Sequence, residues 1–247
     1  MPKSKQKSNK SSESEVSSSQ ASSSQAASQY SQADVDRRVS DLVKFLLIMD
    51  QKKLPIKKQD INKHVLKELS RAGPVVLDKA KFLLRDVFGI ELVELEDKQK
   101  GNYILVNSLE TDATNPHLQW PGEDNAKFGL IIVILSLIFM NGNVISDGEM
   151  WHGLKRLGVE PEVSHTVFGD IKKLVTSEFV KQGYIEYNKR PNSDPPVYDF
   201  KWGWRAREET SKKHVLDFVS QVYSMDPKQW TSQWQDVVQT EGIEDEV

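Results

Sequence analysis

From Asp34 onward apolar residues recur at helical spacing. Val35, Val39, Leu42, Leu46 and Met49 fall three or four positions apart, which predicts one long amphipathic helix opening the first folded region. Pro55 marks a turn into a second helix, about Gln59 to Leu69. Gly73-Pro74 ends it before a third helix that carries Val76, Ala80, Leu83, Leu84 and Val87 on one face. The pattern then turns β-like: Glu91 to Glu96 and Tyr103 to Asn107, separated by Asp-Lys-Gln-Lys-Gly-Asn, read as an antiparallel hairpin. Three helices followed by a hairpin predict a winged-helix domain.

The stretch from Glu110, with Asn115-Pro116 and Pro121-Gly122, is polar and turn-rich. After it the same order repeats: an apolar helix Phe128 to Met140, a helix Asp147 to Leu157, a helix near Asp170 to Val175, and a hairpin of Tyr184 to Tyr187 and Val197 to Phe200. Ser146 with Glu149 has capping-box spacing, and Gly158 stands where a C-terminal cap would. A last helix, Arg205 to Tyr223, closes the domain, and after Asp226 the chain turns acidic and is expected to fray. The fold class expected is mainly α with small β-hairpins (α+β), as two tandem winged-helix domains. The expected layout is a Ser/Gln-rich tail at 1–33, domains at 34–109 and 123–225, a linker at 110–122, and an acidic tail at 226–247.

Residues 1–33 hold too few apolar side chains to offset the entropy of ordering, so a disordered tail is expected. The longest apolar run, Phe128 to Met140, is well short of the ~20 residues that span a bilayer, so no membrane contact is expected. The lysines at the start lack the apolar stretch of a secretory signal, which places the chain inside the cell. Cysteine is absent, which removes disulfides, thiol nucleophiles and cysteine-based zinc sites, a RING fold included. The five histidines, His64, His117, His152, His165 and His214, show no metal-ligand spacing, and nucleotide-binding glycine motifs are missing. No cofactor, metal or catalytic residue is therefore expected. The net charge of −3 gives no bulk attraction to nucleic acid.

The run Gly129-Leu-Ile-Ile-Val-Ile-Leu-Ser-Leu-Ile-Phe-Met-Asn-Gly-Asn143 resembles the signature helix of the MAGE homology domain. Leu174 to Tyr187, Pro191 to Pro195, and Glu209-Thr-Ser-Lys212 with Val215, Leu216 and Phe218 resemble the second half of that domain. Phe45 to Ile56 and Asp226-Pro-Lys-Gln-Trp230 resemble the branch of the family that belongs to the SMC five-six complex. The sequence departs at Trp204, where the family usually has proline in a Trp-Gly-Pro-Arg sequence. The resemblance implies a non-catalytic adaptor in the nucleus, on chromatin, acting in DNA repair and recombination. It implies a RING-type E3 ubiquitin ligase subunit bound through the first domain and a kleisin subunit in an apolar groove of the second. SMC subunits through the complex, and double-stranded DNA, complete the implied partners.

Residues follow from these expectations. Leu46 and Leu47 match the family's dileucine for the RING partner. Leu46 lies on the core stripe and Leu47 about 100° away, so both cannot point inward. For the kleisin groove the candidates are Phe139 on the apolar helix and Trp151, Leu154 and Leu157 on the short helix facing it, although most such residues are ordinary core. Between Lys172 and Lys213 ten cations face six acids. In that stretch Lys172, Lys173, Lys189, Arg190, Lys201, Arg205 and Arg207 are candidates for phosphate contacts, without base readout. Ser19, Ser24, Ser28 and Ser31 each precede Gln, the dipeptide that DNA-damage kinases favour. Two rival readings share the fold: a MAGE-type regulator of a RING ligase outside any SMC complex, and a winged-helix transcription factor.

Overall fold

The computed structural model describes residues 30–96, 99–109 and 122–242, and the chain divides into two units, Met1–Leu109 and Glu110–Val247. In the first unit, α1 (Gln32–Asp50) starts at Ser31, whose side-chain oxygen accepts the Asp34 amide and so satisfies a donor the first turn leaves open. It buries Val35, Val39, Leu42, Val43 and Leu46. After β1 (Ile56–Lys57), α2 (Lys58–Ile61) runs on through a wide π turn (Asn62–Leu66) and a 3-10 segment (Lys67–Ala72). Then comes α3 (Gly73–Phe88), which carries Pro74 in its first turn, where no amide bond is lost, and ends at Gly89 with φ 62°.

β2 (Ile90–Glu94) and β3 (Asn102–Asn107) form the hairpin, with Leu92 opposite Leu105. β1, which the sequence pattern does not predict, joins the free side of β3 through Ile56 opposite Tyr103, giving the order β1-β3-β2. Leu42, Leu46, Ile56, Val65, Val76, Leu84 and Leu105 close one core beneath the sheet. This is a winged helix. Val87, expected on the inner face of α3, is 61% exposed, because the final turn projects beyond the core that Val76, Ala80 and Leu84 enter.

The second unit repeats the plan. Helix α4 (Gly122–Met140) buries Leu130, Ile131, Ile134, Leu135, Ile138 and Phe139. β4 (Ile145–Ser146) leads into α5 (Asp147–Arg156), and the capping box forms in full: Ser146 Oγ accepts the Glu149 amide and Glu149 accepts the Ser146 amide. The expected short third helix is longer. α6 (Ile171–Lys173) passes through a π turn (Leu174–Glu178) into α7 (Phe179–Gln182), which stops at Gly183, φ 86°. β5 (Ile185–Lys189) and β6 (Tyr198–Trp202) pair with Tyr187 opposite Phe200, and the sheet order is β4-β6-β5.

Two expectations are corrected here. The last helix is not continuous: α8 (Trp204–Glu209) ends in extended Thr210, and Ser211 caps a separate α9 (Lys212–Tyr223) by accepting the His214 amide. Nor do residues 227–241 fray. A 3-10 turn (Pro227–Gln229) leads into α10 (Thr231–Glu241), which seats Trp230, Trp234 and Val237 on the core. Those three side chains are spaced as on one helical face, and the surrounding acids and glutamines hide the pattern. Among the described residues no helix is long and apolar enough to cross a membrane.

Candidate partner-binding groove

An apolar groove of about 650 Å³ opens on the second unit between α4 and the α8–α9 pair. Phe128, Ile131, Ile132 and Leu135 of α4 form one wall; Ala206 of α8 and His214, Val215 and Phe218 of α9 form the other. The break between α8 and α9 lies in the groove wall, with Ala206 and Glu209 before it, Thr210 at it and His214, Val215 and Phe218 after it. Phe218 remains 38% exposed although its neighbours on α9, Val215 and Leu216, are core. At one end Tyr184 meets Phe128 edge-on, with ring centres 6.4 Å apart, and donates its hydroxyl to Glu209 at 2.8 Å. Glu209 in turn holds the buried Arg205 guanidinium, which lies 5.8 Å from the Tyr184 ring centre. A nonpolar trough with a fixed polar end is suited to an amphipathic helix whose apolar face enters it.

None of the four residues expected at a kleisin groove lines this one. Phe139 and Leu154 are fully interior, Trp151 packs edge-on against Phe200 at 6.0 Å, and Leu157 is 60% exposed. The expectation placed the opening beside α5, but α5 is where β6 and α4 close the core. The lining of this groove comes from segments some 80 residues apart, and on α9 the local sign is Phe218 beside the core positions Val215 and Leu216.

On α1, Leu46 is fully buried, Leu47 is half-buried against the same core, and the next residue, Ile48, is 63% exposed. Leu46 is therefore a core residue and cannot touch a partner, while Leu47 and Ile48 lie at the surface boundary. Among the phosphate candidates, Arg205 is also corrected: its side chain is buried, its Nε donates to the Gln182 carbonyl at 2.8 Å, and Nη1 pairs with Glu209. Arg190 forms a two-point contact with Asp199, at 2.6 and 3.0 Å, which holds the aspartate carboxyl below its ordinary range. Arg207 bridges Glu186 and the Trp202 carbonyl. Lys172, Lys173, Lys189 and Lys201 stay exposed and make no ion pair among the described residues. Ser31 caps α1; Ser19, Ser24 and Ser28 lie outside the described residues. Among the described residues no group of three His, Cys, Asp or Glu side chains converges to hold a metal.

The two three-stranded winged-helix units, the second carrying an apolar groove, define a tandem winged-helix protein. The MAGE homology domain matches residues 42–213, and the chain belongs to the MAGE family. It is 46% identical over 204 residues to the human Non-structural maintenance of chromosomes element 3 homolog, covering 83% of this chain and 66% of that protein. It is 45% identical over 205 residues to the mouse homolog, of which 72% is covered. Human Melanoma-associated antigen D2 is 45% identical over 204 residues, but the chain spans only 33% of its length. A chain solved in an Nse1-Nse3-Nse4 complex superposes with a TM-score of 0.80 at 48% identity, covering 84% of this chain and 99% of that one.

Proposed function

We propose that this chain is a non-catalytic scaffold subunit of an SMC five-six-type complex in the nucleus, acting in DNA repair. In this reading it joins a RING-type ubiquitin ligase subunit to a kleisin-type subunit and supports the ligase. The observation that carries the proposal is the α4/α8–α9 groove: its apolar walls and exposed Phe218 are what a kleisin helix would cover. The solved relative comes from a three-subunit assembly, which supports two protein partners for this chain as well. Identity alone favours neither the chromosome-maintenance branch nor the D2 antigen branch. The larger share of the chromosome-maintenance relatives that this chain spans supports the former.

The RING-type partner would meet α1 through Leu47 and Ile48, the apolar residues that the fold leaves at its surface. Lys172, Lys173, Lys189 and Lys201 would add sequence-independent phosphate contacts.

Affinity purification of the tagged chain from nuclease-treated nuclear extract tests the reading. Recovery of SMC subunits, a kleisin and a RING protein in near-equal amounts is expected, and Phe218→Glu should lose the kleisin while keeping the RING protein. A RING ligase recovered alone would assign the chain to ligase regulation outside any SMC complex.

A further inference from the structure

A second cleft of the second unit, about 590 Å³ in volume, opens where the end of β6, the α8–α9 break and the end of α10 meet. Its polar lining is rich in hydrogen-bond donors: the cations Lys201, Arg207 and Lys212, and the hydroxyls of Thr210, Ser211 and Thr240. One acid, Glu241, lines it with them. Thr210 is the residue this cleft shares with the apolar groove, and every other lining residue differs, so the two are separate sites.

The fold fixes these groups in place. The Arg207 guanidinium donates to the Trp202 carbonyl at 2.9 Å and to Glu186 at 3.3 Å, which orients it and leaves the rest of its five N–H groups to a ligand. Lys212 donates to Asp236 at 2.8 Å and to Thr240 at 3.5 Å, and Asp236 also accepts from Asn143. Docking of α10 through these bonds brings Thr240 and Glu241 to the cleft and completes it. Lys201 is exposed and makes no ion pair among the described residues. Ser211 Oγ accepts the His214 amide, so its hydroxyl hydrogen is left to donate. Glu241 shows what this end of α9 attracts: its Oε1 already accepts the Lys213 amide at 3.0 Å.

A carboxylate brings two acceptor oxygens and one charge; a phosphoryl group brings three oxygens and close to two charges. Three cations and three hydroxyls match the second. The phosphates of a duplex lie on a broad convex surface that a cleft of this volume does not admit, whereas a single extended chain can lay one side chain into it. Val144, 38% exposed, adds an aliphatic wall for a neighbouring side chain. We propose that this cleft binds a phosphorylated serine or threonine in an extended segment of a protein partner. Lys201 can serve the cleft and a duplex only in turn.

Fluorescence anisotropy of the full chain with a labelled phosphothreonine peptide flanked by valine and glycine, at about 150 mM salt to screen long-range attraction, provides the test. The peptide should bind at least about tenfold more tightly than its unphosphorylated form and than the form with glutamate in place of phosphothreonine. K201E/R207E, folded by circular dichroism, should weaken binding at least about tenfold, since two charge-assisted hydrogen bonds are lost. E241Q keeps an acceptor for the Lys213 amide but removes the competing charge, and should tighten binding about two- to fivefold. A gain of this kind does not arise from misfolding. K172E/K173E/K189E, away from the cleft, should bind as the parent does. Equal affinity for the glutamate or unphosphorylated peptide would overturn the proposal, as would unchanged affinity in both cleft variants. An equal loss in K172E/K173E/K189E would reduce the effect to general charge attraction and overturn it too. So would a duplex that, at equal phosphate concentration, binds more tightly than the peptide and loses as much in K201E/R207E.

Discussion

Arg205 and Glu209 face each other across one turn of α8, guanidinium to carboxylate at 2.8 Å, with the arginine side chain fully buried. The same guanidinium ties down the Gln182 carbonyl, and the second carboxylate oxygen accepts the Tyr184 hydroxyl. The pair thus fastens α8 to the end of α7 and fixes the polar end of the groove. Arg205→Ala leaves Glu209 without its counter-charge and the Gln182 carbonyl without a donor. A loss of about 3–5 kcal/mol is expected in urea denaturation, as for one-sided removal from a buried pair. Arg205→Lys should recover only part of it, since an ammonium cannot span both acceptors as the fork does. A loss below 1 kcal/mol for the alanine variant would contradict this role.

Leu46 and Leu47 are adjacent in sequence and separate in consequence. Leu46→Ala should cost about 2–5 kcal/mol by opening a cavity in the first core. Leu47 is only half-buried, so Leu47→Ala should cost clearly less and leave the unit folded. Co-purification with a RING-type subunit should weaken for Leu47→Ala, and for Ile48→Glu, at temperatures where both stay folded. Undiminished recovery with both variants would move the contact off α1.

Local rules were legible where a residue acts on its own neighbours. The Ser146/Glu149 box, the glycine after α5 and the stripe Val35, Val39, Leu42, Leu46 each follow from a few positions, and each stands as the sequence pattern predicts. What could not be read depends on partners remote in sequence. β1 is two residues long and exists because Ile56 finds Tyr103. α10 forms because Val237 finds the second core and Asp236 finds Lys212 and Asn143. The groove was hardest, since an apolar residue lining a trough has the same chemistry as one in the core. Arg205 is hard to read for the mirror-image reason: in sequence a buried arginine and a DNA-facing one look alike until Glu209 and Gln182 are placed beside it.

Asp236 anchors α10 through hydrogen bonds. Burial pushes its carboxyl up, but bonds from Asn143 at 2.7 Å and Lys212 at 2.8 Å outweigh that and hold it below its ordinary value. A carboxyl lowered on folding contributes stability above its unfolded value of about 3.9, and this is lost as pH falls through the lower, folded value. The protection of amides 231–241 against hydrogen exchange, taken relative to the intrinsic rate at each pH, should therefore be high at pH 6 and fall as pH drops below about 4. Asp236→Asn should speed exchange at pH 6 and flatten the acid dependence. An exchange rate indifferent to both would mean that Trp230, Trp234 and Val237 hold the helix without the carboxylate.

Gly183 and Trp204 explain each other. Gly183 ends α7 at φ 86°, and a Cβ there would run into the Trp204 ring; a Cβ on Gly203 would meet the Gly183 carbonyl. The tryptophan is the first residue of α8, with Gly203 as its cap. Proline is well suited to that position, where the amide has no acceptor within the helix, so Trp204→Pro should preserve the start of α8. Its cost should be the ring's packing and its 5.5 Å contact with the Arg205 guanidinium. In the parent, Gly183→Ala faces two obstacles, the left-handed backbone at about 1–2 kcal/mol and the ring. With Trp204→Pro in place only the backbone term remains. The double-mutant cycle should then show a coupling of about 1–2 kcal/mol, with the pair less destabilised than the sum of the singles. Additivity within about 0.5 kcal/mol would show that the ring yields freely and that the glycine is required by its backbone alone.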